Sequence, residues 1–214
     1  MNKIFAIGDI HGCLEKLKEL IPKTGIDNQN DTLIFIGDYI DRGKFSSEVV
    51  DHIIRLQNEY KKVVCLRGNH EDMLAHYLEG MNEDMYLNNG GINTLHSYEI
   101  ILSDDIEERK RKIPARHRKF FKSLLPYYET EDYIFVHAGM KPGLLLKEQT
   151  MHDLLWIRHE FIEAEYDFGK TVVFGHTPLN NPLINKNMIG IDTGAVYGGK
   201  LTCVELPKIK IYQA

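Results

Sequence analysis

Short runs of consecutive apolar residues recur along the chain, and each run ends in glycine and polar residues. The first three runs are residues 4–7, 33–36 and 63–66, which end in Gly8-Asp9, Gly37-Asp38 and Gly68-Asn69. Four-residue apolar runs of this kind predict strands that are buried on both faces, as in a parallel sheet. Because ligands of α/β proteins bind at the carboxyl ends of parallel strands, the polar residues after each run are expected at one edge of the sheet.

Helical spacing separates these runs. Apolar residues at helical intervals predict helices over 13–21, from Ser46 to about Tyr60, and from the third run to about Glu79. The pattern is therefore β-α-β-α-β with right-handed crossovers. Residues 80–125 lack strand patterns, and we expect a helical insertion beside the site, with a turn at 88–91.

Strand patterns return after residue 125. Apolar runs at 133–136, 171–174 and 188–191 end in His137, in Gly175-His176 and in Asp192, and a closing hairpin is predicted at 201–206 and 209–212. Because the connections are short, all these strands are expected in a second, mixed sheet. The fold class is α/β, and residues 1–214 are predicted to form a single domain.

Composition excludes several classes of protein. The chain has 214 residues and a net charge of −5, so charge gives no reason to expect binding to nucleic acid or to an anionic membrane. Its three cysteines form no CxxC pair, and the apolar start is interrupted by Gly8, Asp9 and His11 before it could act as a secretion signal. A reducing, cytoplasmic location is expected. The oligomeric state is not determined.

The polar groups at the strand ends form a candidate metal centre. The candidate ligands are Asp9, His11, Asp38, Asn69, His137 and His176. Mixed carboxylate, imidazole and amide ligands favour Mn, Fe or Zn over Ca. Six ligands are too many for one tetrahedral ion, so two divalent ions that share Asp38 are predicted, with Asp9 and His11 on one ion and Asn69, His137 and His176 on the other.

Four further residues are assigned catalytic roles. Arg42 and Arg158 are predicted to bind phosphoryl oxygens. His70 adjoins a predicted ligand and is expected to protonate the leaving group, and Asp41 is expected to orient its imidazole. The attacking group would be a hydroxide that bridges the two ions, in line with the leaving oxygen.

Five motifs together resemble those of the phosphoprotein phosphatase family of metallophosphatases. They are GDIHG at 8–12, GDYIDRG at 37–43, LRGNHE at 66–71, HAG at 137–139 and GHTP at 175–178. LLWIR at 154–158 and IDTGAVYGG at 191–199 resemble the bacterial and phage-type members. The resemblance implies a calcineurin-like β-sandwich of two mixed sheets flanked by helices, the same metal and catalytic positions, and Mn first, with Fe, Zn or Ni as alternatives.

The resemblance also implies a function. A serine/threonine protein phosphatase is expected, acting on a phosphorylated protein or a small phosphoester. The symmetrical dinucleoside tetraphosphate hydrolases are similar at 192–199, but they typically have Ala at the position of Asp41 and GNHD in place of GNHE. Such a hydrolase and a metallo-phosphodiesterase are the alternatives. The long C-terminal segment of the eukaryotic members has no counterpart here, so their regulatory partners are not expected.

Some residues keep a simpler interpretation. Six other histidines are interpreted as surface or cap residues, namely His52, His76, His96, His117, His152 and His159. The charged segment 107–119 is interpreted as solvated helix faces, with a basic rim for an acidic or phosphorylated partner as the alternative. Tyr39 is expected either to stack on substrate or to pack. Asn89 belongs either to a turn or to the cleft, and Asp192 either supports a ligand or only forms a turn.

Overall fold

The computed structural model describes residues 3–214, which form ten strands and nine α-helices. The strands are β1 (Ile4–Ile7), β2 (Thr32–Phe35), β3 (Val63–Cys65), β4 (Tyr127–Glu129), β5 (Tyr133–Val136), β6 (Thr171–Phe174), β7 (Leu183–Ile184), β8 (Met188–Gly190), β9 (Thr202–Leu206) and β10 (Lys210–Gln213). The helices are α1 (Leu14–Thr24), α2 (Ser46–Glu59), α3 (Asn69–Tyr77), α4 (Glu83–Tyr86), α5 (Ile92–Ser97), α6 (Ile106–Lys112), α7 (Ala115–Ser123), α8 (Met151–Trp156) and α9 (His159–Ile162).

The strands make two mixed sheets, as the family resemblance implied. The first sheet has the order β10-β9-β1-β2-β3, in which β1, β2 and β3 are parallel. The second sheet has the order β4-β5-β6-β8-β7, in which β5, β6 and β8 are parallel and the two edge strands are antiparallel. The predicted α/β sandwich is confirmed.

The prediction that the C-terminal hairpin belongs to the second sheet is wrong. Strand β9 pairs antiparallel with β1 of the first sheet, and β10 pairs with β9. All five residues of β9 are buried, so this strand covers an edge of β1 that would otherwise expose unpaired backbone groups. Short connections limit how far a strand can travel, but they do not determine which sheet edge is free to receive it.

The core between the sheets is apolar. It is built from Ala6, Ile34, Ile36, Val64, Leu66, Phe135, Val173, Ile189, Ile191, Val204 and Leu206, all buried. A larger apolar cluster on the other face of the first sheet includes residues of α1, α2, α3, α5 and α7, and a third cluster lies between the second sheet and α8 and α9. Helices therefore flank both sheets, and both faces of each central strand are buried.

The segment 80–125 contains α4, α5, α6 and α7. The turn expected at 88–91 is instead part of a π-helical turn, Leu87–Gly91, that joins α4 to α5. Most charged residues of 107–119 are exposed, as interpreted, but Arg109 is buried. Its guanidinium donates to the Glu83 carboxylate at 2.7 and 3.2 Å and lies 4.4 Å from the centre of the Tyr77 ring.

The interpretation of His117 as a surface residue is wrong. Only 1% of this side chain is exposed. Its Nδ1 lies 2.9 Å from the Tyr98 hydroxyl, and its Nε2 lies 2.7 Å from the Asp51 carboxylate. Both ring nitrogens thus have a partner, which is what makes burial of an imidazole possible in a charge-rich segment.

Within residues 3–214, none of the helices has the length and apolar character that crossing a membrane requires.

Candidate functional site

Six loops that follow strands of the two sheets meet at one edge of the sandwich. Five residues in these loops have positive φ although they are not glycine, namely His11, Asp38, Asp41, Arg42 and His176. Each such residue is strained, and strained residues tend to cluster at functional sites. Gly68 permits a close approach of two loops, because a Cβ at this position would collide with the Asp38 carboxylate and backbone.

Two groups of buried side chains bring possible metal ligands together. His11, Asp38 and His70 form one group, and Asp38, His137 and His176 form the other. In each group the ligand atoms all lie within 4.8 Å of one another. Asp38 belongs to both groups, one oxygen lying 3.4 Å from His11 Nε2 and the other 3.4 Å from His137 Nε2. This is the arrangement that a shared carboxylate between two ions requires.

Asn69 lies beside the two histidines of the second group. Its Oδ1 is 2.9 Å from His137 Nε2 and 2.9 Å from His176 Nδ1. His137 Nδ1 lies 2.9 Å from the Ile36 carbonyl oxygen and must donate to it. The Nε2 lone pair of the neutral ring therefore faces the Asn69 oxygen, so two acceptors face each other where a cation would satisfy both.

Asp9 lies in neither three-residue group of the described chain. Its two carboxylate oxygens accept the backbone N–H of His176 at 3.2 and 3.0 Å, which places it beside the second group. The prediction paired Asp9 with His11, whereas the structure brings His70 next to His11 and Asp38. The ring centres of His11 and His70 are 4.6 Å apart.

Arg42 contacts His11 directly. The Nδ1 of His11 lies 2.8 Å from the Ile40 carbonyl and donates to it, so Nε2 accepts from the Arg42 guanidinium at 2.6 Å. That lone pair can serve either the guanidinium or a metal ion, but not both. The Arg42 guanidinium also lies 5.4 Å from the centre of the Tyr197 ring, and Tyr197 is 62% exposed.

Burial shifts the pKa values of the ionisable side chains in this centre. Desolvation lowers the pKa of His11 to about 3 and that of His176 to about 2, so both imidazoles are neutral, the form that binds metals. Desolvation, Asp192 and Asp38 raise the pKa of Asp9 well above its usual range. At Asp38 the opposing effect of the surrounding imidazoles outweighs desolvation and lowers the pKa of the carboxyl.

The donor set fits two divalent cations. Two carboxylates, an amide oxygen and neutral imidazoles converge in a space from which solvent is almost excluded, since Asp9, Asp38 and Asn69 are each at most 3% exposed. The Nε2 atoms of His70 and His176 are buried and have no hydrogen-bond partner within residues 3–214. Buried carboxylates and unpartnered imidazole nitrogens are costly unless a cation compensates for the lost hydration.

His70, a member of the first group, forms a buried pair with Asp41. His70 Nδ1 lies 2.6 Å from one Asp41 oxygen, and both side chains are fully buried. The other His70 nitrogen faces Asp38, 3.9 Å from its carboxylate. This arrangement orients the ring with Nε2 toward Asp38, the residue shared by the two candidate ligand groups. Nε2 is therefore the nitrogen available for proton transfer or for metal binding.

Sequence reasoning missed Glu71. Its buried carboxylate accepts the backbone N–H groups of Asp38 at 3.0 Å, of Tyr39 at 2.9 Å and of Gly68 at 2.9 Å. Glu71 thus fastens the loop that carries Asp38 to the loop that carries Asn69. The LRGNHE motif contained this residue, but the local sequence does not show that its oxygens face another loop's backbone.

Other predicted residues lie around this centre. Arg158 is exposed at the end of α8, and its positive charge contributes to the lowered pKa values of His137 and His176, which arise chiefly from burial. Trp156 is half-buried, with its ring centre 6.0 Å from that of His176 in an edge-on arrangement.

Three open interpretations are settled or narrowed by side-chain contacts. Tyr39 packs rather than stacks on substrate, since it is fully buried and its hydroxyl donates to the Leu66 carbonyl at 2.7 Å. Asn89 donates to the Met85 carbonyl at 2.8 Å, which is a contact with the preceding helix α4. Asp192 accepts the Gly194 N–H at 2.9 Å, and burial raises the pKa of its carboxyl to about 6.

Comparison with known proteins identifies the family of this chain. The family described as calcineurin-like phosphoesterase matches residues 2–209. A bis(5'-nucleosyl)-tetraphosphatase PrpE [asymmetrical] from Oceanobacillus iheyensis is 29% identical, over 96% of this chain and 89% of the relative. A putative diadenosine tetraphosphatase has a similar fold, with a TM-score of 0.76 and 21% identity over 100% of this chain and 93% of that one. A mutant of a cold-active protein tyrosine phosphatase gives a TM-score of 0.74 and 17% identity over 100% of this chain and 77% of that one. The chain therefore belongs to the calcineurin-like phosphoesterase family and is a metallophosphoesterase, a hydrolase of phosphoric esters.

Proposed function

We propose that this metallophosphoesterase is a phosphomonoesterase that acts on phosphoserine and phosphothreonine in proteins. The observation that carries the proposal is the fully buried His70–Asp41 pair, with a hydrogen-bond distance of 2.6 Å, beside the metal groups. A carboxylate that faces Nδ1 stabilises the protonated imidazole and fixes which nitrogen faces the reaction. Such a pair is suited to giving a proton to a leaving oxygen.

The metal ligands in this proposal are Asp9, His11, Asp38, Asn69, His137 and His176. Divalent ions, with Mn proposed first, would supply an ionised water at neutral pH and stabilise charge on the phosphoryl oxygens. The protein's part is to hold neutral imidazoles and two carboxylates in place before the ions bind. Asp38 faces both groups through separate oxygens, which supports its role as the shared ligand.

The leaving group distinguishes an ester from an anhydride. Serine and threonine leave as alkoxides, which are strongly basic and need a proton as the bond to phosphorus breaks. A nucleotide leaving from a polyphosphate chain is a much weaker base and gains less from an acid. A buried pair placed to donate a proton therefore favours the phosphoserine or phosphothreonine ester.

Arg42 and Arg158 are proposed to bind the phosphoryl group. Arg42 is half-buried at the first metal group, and Arg158 is exposed beyond the second. Because the guanidinium of Arg42 and a metal ion compete for the same His11 lone pair, metal binding would free Arg42 for the phosphoryl oxygens. Arg158 is assigned the weaker contact, since it is exposed and screened by solvent.

Asymmetrical hydrolysis of dinucleoside tetraphosphates is the second candidate. It is favoured by the Oceanobacillus iheyensis relative, whose name states that activity and whose similarity extends over nearly the whole length of both chains. The alternative expected from the sequence was the symmetrical hydrolase, and the relative's name points to the asymmetrical reaction instead. The same metal centre could carry out this reaction with little help from His70.

The His70→Asn variant tests the proposed role of this residue. With a phosphoserine peptide, kcat should fall by most of the ~10²–10⁴-fold that a general acid contributes. With para-nitrophenyl phosphate, whose leaving group needs no proton, the fall should be distinctly smaller, and both ions should still bind. Equal losses on the two substrates together with loss of an ion would show that His70 is a metal ligand, as its position between His11 and Asp38 also allows.

A further inference from the structure

The Asp41 carboxylate has partners beyond His70. One oxygen faces His70, and the other accepts hydrogen bonds from the Tyr86 hydroxyl at 2.9 Å and from the Thr94 hydroxyl. Tyr86, Thr94 and Asp41 are each at most 1% exposed. Every oxygen of this carboxylate is therefore occupied by a protein donor, and its direction is fixed without help from solvent.

These donors come from the helical segment rather than from the strand ends. Tyr86 ends α4 and Thr94 lies in α5, about 45 to 53 positions after Asp41 in the sequence. Thr94 also accepts the backbone N–H of Asp41 at 2.9 Å, so it holds both the main chain and the side chain of this residue. Ser46 Oγ is a second acceptor for that N–H at 3.1 Å.

The same segment also fixes the backbone of the next residue, Arg42. The Gly90 carbonyl accepts the Arg42 N–H at 3.1 Å, and Asn93 donates its side-chain amide to the Arg42 carbonyl. Gly91 makes room for this arrangement, because a Cβ there would lie 2.6 Å from the Tyr86 ring. The Asn-Gly-Gly sequence at 89–91 thus allows the π-helical turn to pack closely against the Tyr86 ring, whose hydroxyl contacts Asp41.

We propose that Tyr86 and Thr94 are positioning residues for the His70–Asp41 pair, an inference that rests on the acid role proposed above for His70. Two donors on one oxygen fix the direction of the carboxylate and leave the other oxygen facing His70 Nδ1. The helical segment is then part of the catalytic apparatus: it aligns the proton donor but touches neither substrate nor metal.

The substitutions Tyr86→Phe and Thr94→Val remove one hydroxyl each. On a phosphoserine peptide, with the Mn-bound chain of 214 residues, each should lower kcat roughly tenfold, a part of the ~10²–10⁴-fold that general-acid catalysis supplies. On para-nitrophenyl phosphate the change should stay below about twofold, since that leaving group needs no proton. KM and the number of bound ions should not change. Thr94→Ser keeps the hydroxyl and should restore the peptide activity.

Tyr98→Phe is the matched control. Tyr98 is also a buried tyrosine of this segment, but its hydroxyl contacts His117 at 2.9 Å rather than Asp41. Its loss should affect stability alone, with no difference between the two substrates. In an Asp41→Asn background, Tyr86→Phe should change the peptide kcat by less than about twofold, because residues that act through one group are not additive.

Three results would overturn the inference. Equal loss on both substrates in Tyr86→Phe would indicate a structural role, as would the same substrate dependence in Tyr98→Phe. Full additivity with Asp41→Asn would show that Tyr86 does not act through Asp41. The proposed function is tested separately by His70→Asn. If that variant loses the same fraction of kcat on both substrates, the acid role of His70 and the positioning role of Tyr86 and Thr94 both fail. If His70→Asn slows the peptide more than para-nitrophenyl phosphate while Tyr86→Phe and Thr94→Val do not, only the positioning role fails. If Tyr86→Phe does not fold, the Thr94→Val and Thr94→Ser pair decides the matter.

Discussion

Replacing Glu71 with glutamine tests whether the two ligand loops are held together by one carboxylate. Oε1 of Glu71 accepts the Tyr39 N–H, and Oε2 accepts the N–H groups of Asp38 and Gly68. Glutamine has the same shape but only one acceptor oxygen. Whichever way the amide turns, its NH₂ group must face one or two buried N–H donors that it cannot satisfy.

The magnitude follows from these contacts. Each buried donor left unsatisfied costs about 1–3 kcal/mol, which gives a loss of roughly 1–6 kcal/mol for one or two donors. Burial and the nearby Asp38 charge raise the pKa of Glu71 to about 8, so both oxygens are full acceptors only above that pH, and the unfolding curves are measured at about pH 9. We expect a net decrease of about 2–3 kcal/mol in the free energy of unfolding of the metal-free protein. At about 2–4 °C per kcal/mol, the melting temperature should fall by roughly 4–12 °C.

Metal affinity is the second readout for Glu71→Gln. Partners that orient metal ligands typically account for about 10–100-fold in affinity, and Glu71 orients the loops of both Asp38 and Asn69. Titration with Mn should therefore show binding weakened by roughly that factor. Urea unfolding with and without Mn measures stability and affinity in the same samples.

Glu205→Gln is the matched control. Glu205 is also a buried carboxylate, paired with Lys3 at 3.2 Å and with the Tyr212 hydroxyl at 2.6 Å. It lies opposite Phe5, toward the start of β1 and away from the edge where the ligands converge. This variant should lose stability but bind Mn normally. If Glu71→Gln unfolds like the parent protein, or if both variants bind Mn equally well, the clamp assigned to Glu71 is refuted.

Other perturbations test the remaining assignments. Asp38→Asn should weaken the binding of both ions, since its two oxygens face different ligand groups. Metal analysis that finds both ions fully retained would refute the role of Asp38 as the shared ligand. Arg42→Ala should raise KM for phosphomonoesters and lower kcat, because its charge acts on substrate and transition state, and unchanged steady-state kinetics would remove it from the site. Arg158→Ala should have the same effect but smaller, owing to its exposure. The Arg116 hydrogen bond lowers the pKa of Asp51, so the ionised Asp51 stabilises the fold above its unfolded pKa, and this stabilisation is lost as the pH falls through its folded pKa. Asp51→Asn should therefore lose less unfolding free energy on acidification than the parent protein, as measured by unfolding curves at a series of pH values. An unchanged dependence of the unfolding free energy on pH would contradict the assignment.

The strand-end motifs were predictable because their signal is local. Each motif follows an apolar run, and the rule for parallel sheets brings the carboxyl ends of β1, β2 and β3 to one edge. The Asp38 carboxylate accepts the backbone N–H of His70 at 3.1 Å for that reason. The rule applies within one sheet, and the contribution of His137 and His176 from the second sheet was inferred from their ligand chemistry.

Long-range contacts were not predictable from the local pattern. Nothing in the spacing of β9 indicates that it completes the first sheet, because the free edge of β1 depends on the whole topology. Tyr86 and Thr94 lie in a segment that carries no motif, and their hydroxyls matter only because the segment folds back onto Asp41. His117 was misjudged for the same reason, since its burial depends on partners at Asp51 and Tyr98.

The central claim is that the Mn-bound chain hydrolyses phosphoserine and phosphothreonine esters better than phosphoric anhydrides. The most direct test measures kcat/KM for phosphoserine, phosphothreonine and phosphotyrosine peptides, for a phosphodiester and for diadenosine tetraphosphate, on one metal-reconstituted preparation with a chelated control. We predict the highest value for a phosphoserine or phosphothreonine peptide and no activity after chelation. A value for diadenosine tetraphosphate above that of every phosphopeptide would contradict this account and favour the asymmetrical tetraphosphatase.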